Sequence, residues 1–171
     1  MSKPLRTGYF GGSFNPIHEG HIRLADRACQ SGLVDEVWFV VSPQNPLKST
    51  ADPNDAASRL AAVREALQPY PHLTASDFEL DKPLPSYTID NLNLAASQYP
   101  DRAFVLIIGG DNLDDLTRWK DYDQLLSNYD ILVYPRPGAS NTIPQDWQRV
   151  KLLDGPLMAI SSTEIRQKTN Q

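Results

Sequence analysis

Continuous apolar runs and helical stripes alternate along this chain. Leu5 to Phe10, Val37 to Val41, Phe104 to Ile108 and Ile131 to Tyr134 are short runs rich in β-branched and aromatic residues, the pattern of strands covered on both faces. Leu73 to Ala75 and Val150 to Leu153 read as two weaker strands. Between the runs lie segments with helical periodicity. Glu19 to Ser31 puts Ile22, Ala25 and Cys29 on one face, and Asp55, as a cap, opens a helix to Leu67 with Leu60, Val63 and Leu67 inward. Ser86 to Leu92 opens a third, with Ile89, Leu92 and Ala96 inward and Ser86 or Thr88 as its N-cap. Asn112 to Trp119 reads as a short helix, followed by a helical turn to Leu126. Gly32, Pro69 and Pro100 stop the first three helices. Asp77 to Pro85 and Ala139 to Asp146 lack periodicity and read as loop. This alternation predicts an α/β fold, a doubly wound, mostly parallel sheet with ligands across the strand C-termini where strand order reverses.

Length and composition narrow the classes. At 171 residues the chain is expected to form one domain with a real core. A net charge of −5 excludes a general nucleic-acid binder, so any positive charge for phosphates must be local. One cysteine rules out a disulfide framework within the chain and fits a reducing compartment. No apolar run approaches membrane-spanning length and the N-terminus lacks an export signal, so a cytoplasmic protein without membrane partners is expected.

The chemistry concentrates at strand ends. After the first strand comes Gly11-Gly12-Ser13-Phe14-Asn15-Pro16-Ile17-His18-Glu19-Gly20-His21. Two glycines allow a ligand close to the backbone, a helix N-terminus offers free N–H groups and a favourable dipole, and histidines three apart share a helix face. That combination points to phosphate chemistry. Zinc is disfavoured because His72 and Cys29 stand at spacings that do not complete a tetrahedral set. Neither GxGxxG nor GxxxxGK(S/T) occurs. Asp111, just after Gly109-Gly110, is placed to accept from ribose hydroxyls or to cap a helix. Lys48 ends a proline-stiffened loop after the second strand. Near the C-terminus, Ile160-Ser161-Ser162-Thr163-Glu164-Ile165-Arg166 contains an S-x-x-E capping box. Its hydroxyls, free N–H groups and Arg166 would form a second anion site.

Two of these stretches resemble the signatures of the nucleotidyltransferase superfamily: His18-Glu19-Gly20-His21 its HxGH tetrad, and Ile160 to Arg166 its ISSTxIR motif. The longer form GG(S/T)F(D/N)PIHxGH is similar to the nicotinate-mononucleotide adenylyltransferase branch, with Asn15 where many members have Asp and Leu47 where a PHK loop has His. The resemblance implies a Rossmann-like strand order 3-2-1-4-5. It also implies an ATP side of Gly11, Gly12, Ser13, Phe14, His18, His21, Gly109, Asp111, Ile160, Ser161, Ser162, Thr163 and Arg166. The acceptor side would be Asn15, Lys48, Ser86, Tyr87, Thr88 and Trp119, with the indole stacked on the nicotinate ring. Only Gln167 to Gln171 follow the second motif, where family chains usually continue, so a short helix carrying Arg166 is expected.

The activity so implied is adenylyl transfer from ATP to nicotinate mononucleotide, with His18, His21 and Arg166 as the catalytic residues. Mg²⁺ would travel with ATP, held by phosphates and water and not by a carboxylate cage. No nucleophile–base–orienter set is present, which suits a reaction run by positioning and charge stabilisation. Acceptors left open are nicotinamide mononucleotide and phosphopantetheine, and a non-catalytic nucleotide-binding domain is the alternative of another class. The oligomeric state is open, a homo-oligomer included.

Overall fold

The computed structural model describes residues 4–14, 17–43, 55–82 and 86–153. Its strands are β1 (Leu5–Gly12), β2 (Glu36–Val41), β3 (Leu73–Ser76), β4 (Arg102–Gly109), β5 (Asp130–Tyr134) and β6 (Val150–Leu152). They form one sheet in the order β3-β2-β1-β4-β5-β6, every neighbouring pair parallel. The expected 3-2-1-4-5 order is present, and β6 extends it beyond β5.

Side-chain alternation sends each strand's apolar residues to two cores. On one face Tyr9, Trp38, Val40, Phe104, Leu106 and Ile108 pack with Ile89, Leu92 and Ala95 of α3 (Thr88–Gln98) and Leu125 of α5 (Tyr122–Asn128). On the other, Phe10, Val37, Phe39, Val41, Val105 and Ile107 pack with Leu24, Ala25 and Ala28 of α1 (Glu19–Gln30) and Leu60, Val63 and Leu67 of α2 (Asp55–Leu67). This two-sided cover explains why β2 and β4 read as unbroken apolar runs.

Three expectations are corrected. The inward face of α1 is carried by Leu24, Ala25 and Ala28, with Ile22 and Cys29 only half-buried at its margin. In α3 the N-cap is Tyr87, which makes no side-chain cap bond, and Ala95, not Ala96, lies fully inside. The helix read over 112–119 begins earlier, as α4 (Gly110–Asp115), and tightens into a 3₁₀ turn at Leu116–Arg118 that leaves Trp119 at its end. The cap assigned to Asp55 lies outside the described side chains.

Strand order reverses between β1 and β4, both paired to each other and running outward from there. The C-terminal ends of these two strands, Gly12 and Gly109, therefore flank the crevice where such sheets bind ligands. No helix among the described residues is long and apolar enough to cross a membrane.

Candidate active site

The turn after β1 is fixed from three sides. The Ser42 amide donates to the Gly12 carbonyl at 2.8 Å, tying it to the end of β2. Arg59, buried in α2, donates through Nη1 to the Ser13 carbonyl at 2.8 Å. Phe14 then adopts φ 46°, a left-handed conformation that costs a bulky residue roughly 1–3 kcal/mol. Burial offsets that cost: its ring packs edge-on against Phe10 at 5.4 Å and His21 at 5.2 Å. Phe14 thus serves the turn from the core.

The turn delivers the chain to α1 through its two histidines. The Gly20 amide donates to His18 Nδ1 at 3.1 Å, and the His18 amide donates to His21 Nδ1 at 3.2 Å. The imidazoles play the reciprocal parts of a capping box. His18 is therefore the N-cap, in extended conformation, and does not sit within the helix as its spacing suggested. The two rings stack, centroids 3.7 Å apart and planes 28° from parallel. An amide donating into Nδ1 needs the lone pair there, so each neutral ring carries its proton on Nε2. Burial, then the neighbouring His18 and Arg136, lowers the His21 pKa from 6.5 to about 3. Near neutral pH, His21 is an uncharged N–H donor.

A cavity of ≈300 Å³ opens beside this turn, lined by Gly11, Gly12 and Ser13 from β1 and its turn, Thr88 from α3, and Asn112 and Trp119 beyond β4. The glycine turn thus shares this lining with Thr88 and Trp119, two of the residues expected on the acceptor side, and His18 and His21 are not part of it. A second, adjoining hollow of ≈310 Å³ brings Ser86, Tyr87 and Thr88 together with Trp119 and Lys120. Lys120 Nζ, in its lining, is 2.8 Å from Asp90 and 4.9 Å from the centre of the Tyr87 ring. Ser86 faces inward, its hydroxyl accepting from buried Asn91 Nδ2 at 2.7 Å.

The other strand end is as tightly built. A Cβ on Gly109 would stand 2.6 Å from Asp111 Oδ1 and 2.9 Å from both Arg136 and Tyr134. Asp111 lies exposed in the first turn of α4, past the Gly109 N-cap, and its Oδ1 is 3.7 Å from Arg136 Nε.

The Cytidylyltransferase-like family profile matches residues 9–168. A Bacteroides fragilis protein named "Probable nicotinate-nucleotide adenylyltransferase" is 48% identical over 162 residues, 95% of this chain and 81% of its own. A Cytophaga hutchinsonii protein of the same name is 44% identical over 167 residues, 98% of this chain and 87% of its own. The chain belongs to the nicotinate-nucleotide adenylyltransferase family. The fold agrees: Plasmodium falciparum nicotinic acid mononucleotide adenylyltransferase, solved in complex with NaAD, superposes with a TM-score of 0.75 at 20% identity, over 95% of this chain and 83% of that one.

Of the residues the family resemblance singled out, Asn15, Lys48, Ile160, Ser161, Ser162, Thr163 and Arg166 lie outside the described residues. Three others escaped the sequence reading. Arg136 had a signal, since Pro135-Arg136-Pro137-Gly138 follows a strand end as the other motifs do. Arg59 and Glu79 had none, because their partners, Ser13 and Tyr9, lie 46 and 70 residues away.

Proposed function

We propose that this protein transfers the adenylyl group of ATP to nicotinate mononucleotide, forming nicotinate adenine dinucleotide and pyrophosphate. The observation that carries the reading is the pair of stacked imidazoles capping α1 immediately after the glycine turn, each accepting a backbone amide at Nδ1. The relatives' names and the NaAD-bound structural neighbour support the choice of substrates.

In this reaction a phosphate oxygen of the mononucleotide forms a bond to the α-phosphorus of ATP. The bond from that phosphorus to the bridging oxygen of the β-phosphate breaks, and pyrophosphate leaves. The attacking phosphate is already largely deprotonated near pH 7, so no side chain has to remove a proton. What the chain supplies is position and charge stabilisation. His18 and His21 donate to phosphate oxygens as negative charge moves toward the leaving group, Arg136 adds a cation beside them, and the α1 N-terminus adds its amides. Ser161, Ser162, Thr163 and Arg166 are proposed to grip the β- and γ-phosphates, with Lys48 on the acceptor's. Gly109 and Asp111 would take the adenosine side, and Thr88 and Trp119 the nicotinate ring.

Mg²⁺ is proposed to accompany ATP. Its ligands would be mainly triphosphate oxygens and water. A cytoplasmic setting suits an ATP-dependent enzyme with one cysteine.

The test is pyrophosphate release from ATP with nicotinate mononucleotide, with nicotinamide mononucleotide and phosphopantetheine in parallel. Release with the acid form well above the other two is expected. No release with any acceptor, while ATP still binds, would instead establish a nucleotide-binding domain without catalysis.

A further inference from the structure

Glu79 is a carboxylate for which the chemistry above has no use. It sits in the loop between β3 and α3, half-buried, and lines the same ≈300 Å³ cavity as Gly12, Ser13, Thr88 and Trp119. Among the described residues lining that cavity it is the only charged one. The Tyr9 hydroxyl donates to its Oε2 from within β1, and Asn91 of α3 lies near enough to draw its pKa down. Burial still raises its pKa above the usual carboxylate range, against the opposing pull of Tyr9, Asn91 and Lys82. A carboxylate has about four acceptor positions. The Tyr9 phenol fills one of them, and others can take donors from a ligand in the cavity.

Charge decides which part of a ligand such a carboxylate would meet. Both substrates are anionic at their phosphates, so a carboxylate in the cleft repels those ends. It favours a neutral part rich in O–H donors. Glu79 is bonded to Tyr9, three residues and roughly 10 Å before the glycine turn, and lies near Asn91, one turn into the helix that begins at Thr88. Glu79 thus shares one cavity with the glycine turn and with Thr88 and Trp119. In a mononucleotide, the piece between phosphate and aromatic base is the ribose, with its two hydroxyls. We infer that Glu79 is a specificity-determining residue that accepts hydrogen bonds from the ribose hydroxyls of the mononucleotide acceptor. This rests on the adenylyl-transfer reading above.

The test compares kcat/KM for nicotinate mononucleotide and its 2′-deoxy and 3′-deoxy analogues, in the natural protein and in Glu79→Gln. Glu79→Asp, which keeps the charge but withdraws it by one methylene, and Tyr9→Phe, which removes only the inner donor, are the companions. The natural protein should lose on the order of 10-fold or more with at least one deoxy analogue, as expected for a hydrogen bond to a charged group. Glu79→Gln should lose about as much with the parent nucleotide, should no longer distinguish ribose from deoxyribose, and should keep its KM for ATP. Tyr9→Phe should keep the distinction. The ratio of ribo to deoxy rates does not depend on how much of a variant folds; Glu79→Asp supplies it if Glu79→Gln is insoluble. An unchanged ratio in the Glu79 variants, or no deoxy penalty in the natural protein, overturns the assignment while leaving adenylyl transfer standing. Absence of pyrophosphate release by the natural protein overturns the transfer reading and this inference with it.

Discussion

His21 shows how much of the chemistry rests on single atoms. Its Nδ1 is committed to the His18 amide, its ring is stacked on His18 and edge-packed by Phe10 and Phe14, and burial keeps it neutral. Unfolded, it would take up a proton near 6.5; folded, only near 3. Between those values the unfolded chain binds more protons, so acidification favours unfolding by at most about 1.4 kcal/mol per pH unit. This contribution is complete above 6.5 and is lost as the pH falls toward 3. A proton NMR titration should find the His21 ring signals static from about pH 8 to pH 5. A midpoint near 6.5 would mean that the imidazole is solvated and charged at work. The sequence announced both histidines by the Gly20 between them, but not their division of labour. Which nitrogen caps and which donates depends on backbone angles that no spacing rule specifies.

At the scale of elements, strand ends and helix starts are joined by short-range clamps. Asn141, in the loop after β5, accepts from the Arg136 amide and donates to the Arg136 carbonyl, both at 2.9 Å. Ser140 in the same loop is hydrogen-bonded to Asp114 of α4. Gly110 makes room for this: a Cβ there would fall 2.0 Å from Asn141 Oδ1 and 3.3 Å from Ala139 Cβ. Gly110→Ala should therefore displace Asn141 and loosen Arg136. We expect a loss of roughly 1–3 kcal/mol of stability, as in other overpacked sites, together with a raised KM for ATP, measured by denaturant melts and steady-state kinetics. An unchanged melt would mean the loop yields freely. The strands were largely legible because two-sided burial leaves an unmistakable apolar run, as in Val37 to Val41. Helix starts were less so. Ser86 and Thr88 have the chemistry of N-caps, yet Tyr87 holds that position and Ser86 serves Asn91 instead. A side chain one turn into the same helix takes the hydroxyl that a cap would use.

For the molecule as a whole, one parallel sheet with its reversal between β1 and β4 gathers segments from distant parts of the chain onto a single edge. The glycine turn, the start of α3 and Trp119 come from widely separated segments and share one cavity wall. This convergence followed from alternating elements and the rule that ligands sit at strand C-termini. The Tyr9–Glu79 contact across the same cavity did not, since nothing local in either segment marks it. A site built this way works by placement, so removing one donor should cost rate far more than affinity. The most direct check is the turnover of His21→Ala at saturating ATP and nicotinate mononucleotide, with ATP binding measured separately. A fall in kcat of roughly 10²-fold or more is expected, with ATP affinity changed by less than about tenfold. Near-native turnover in that variant would contradict adenylyl transfer at this pair of histidines.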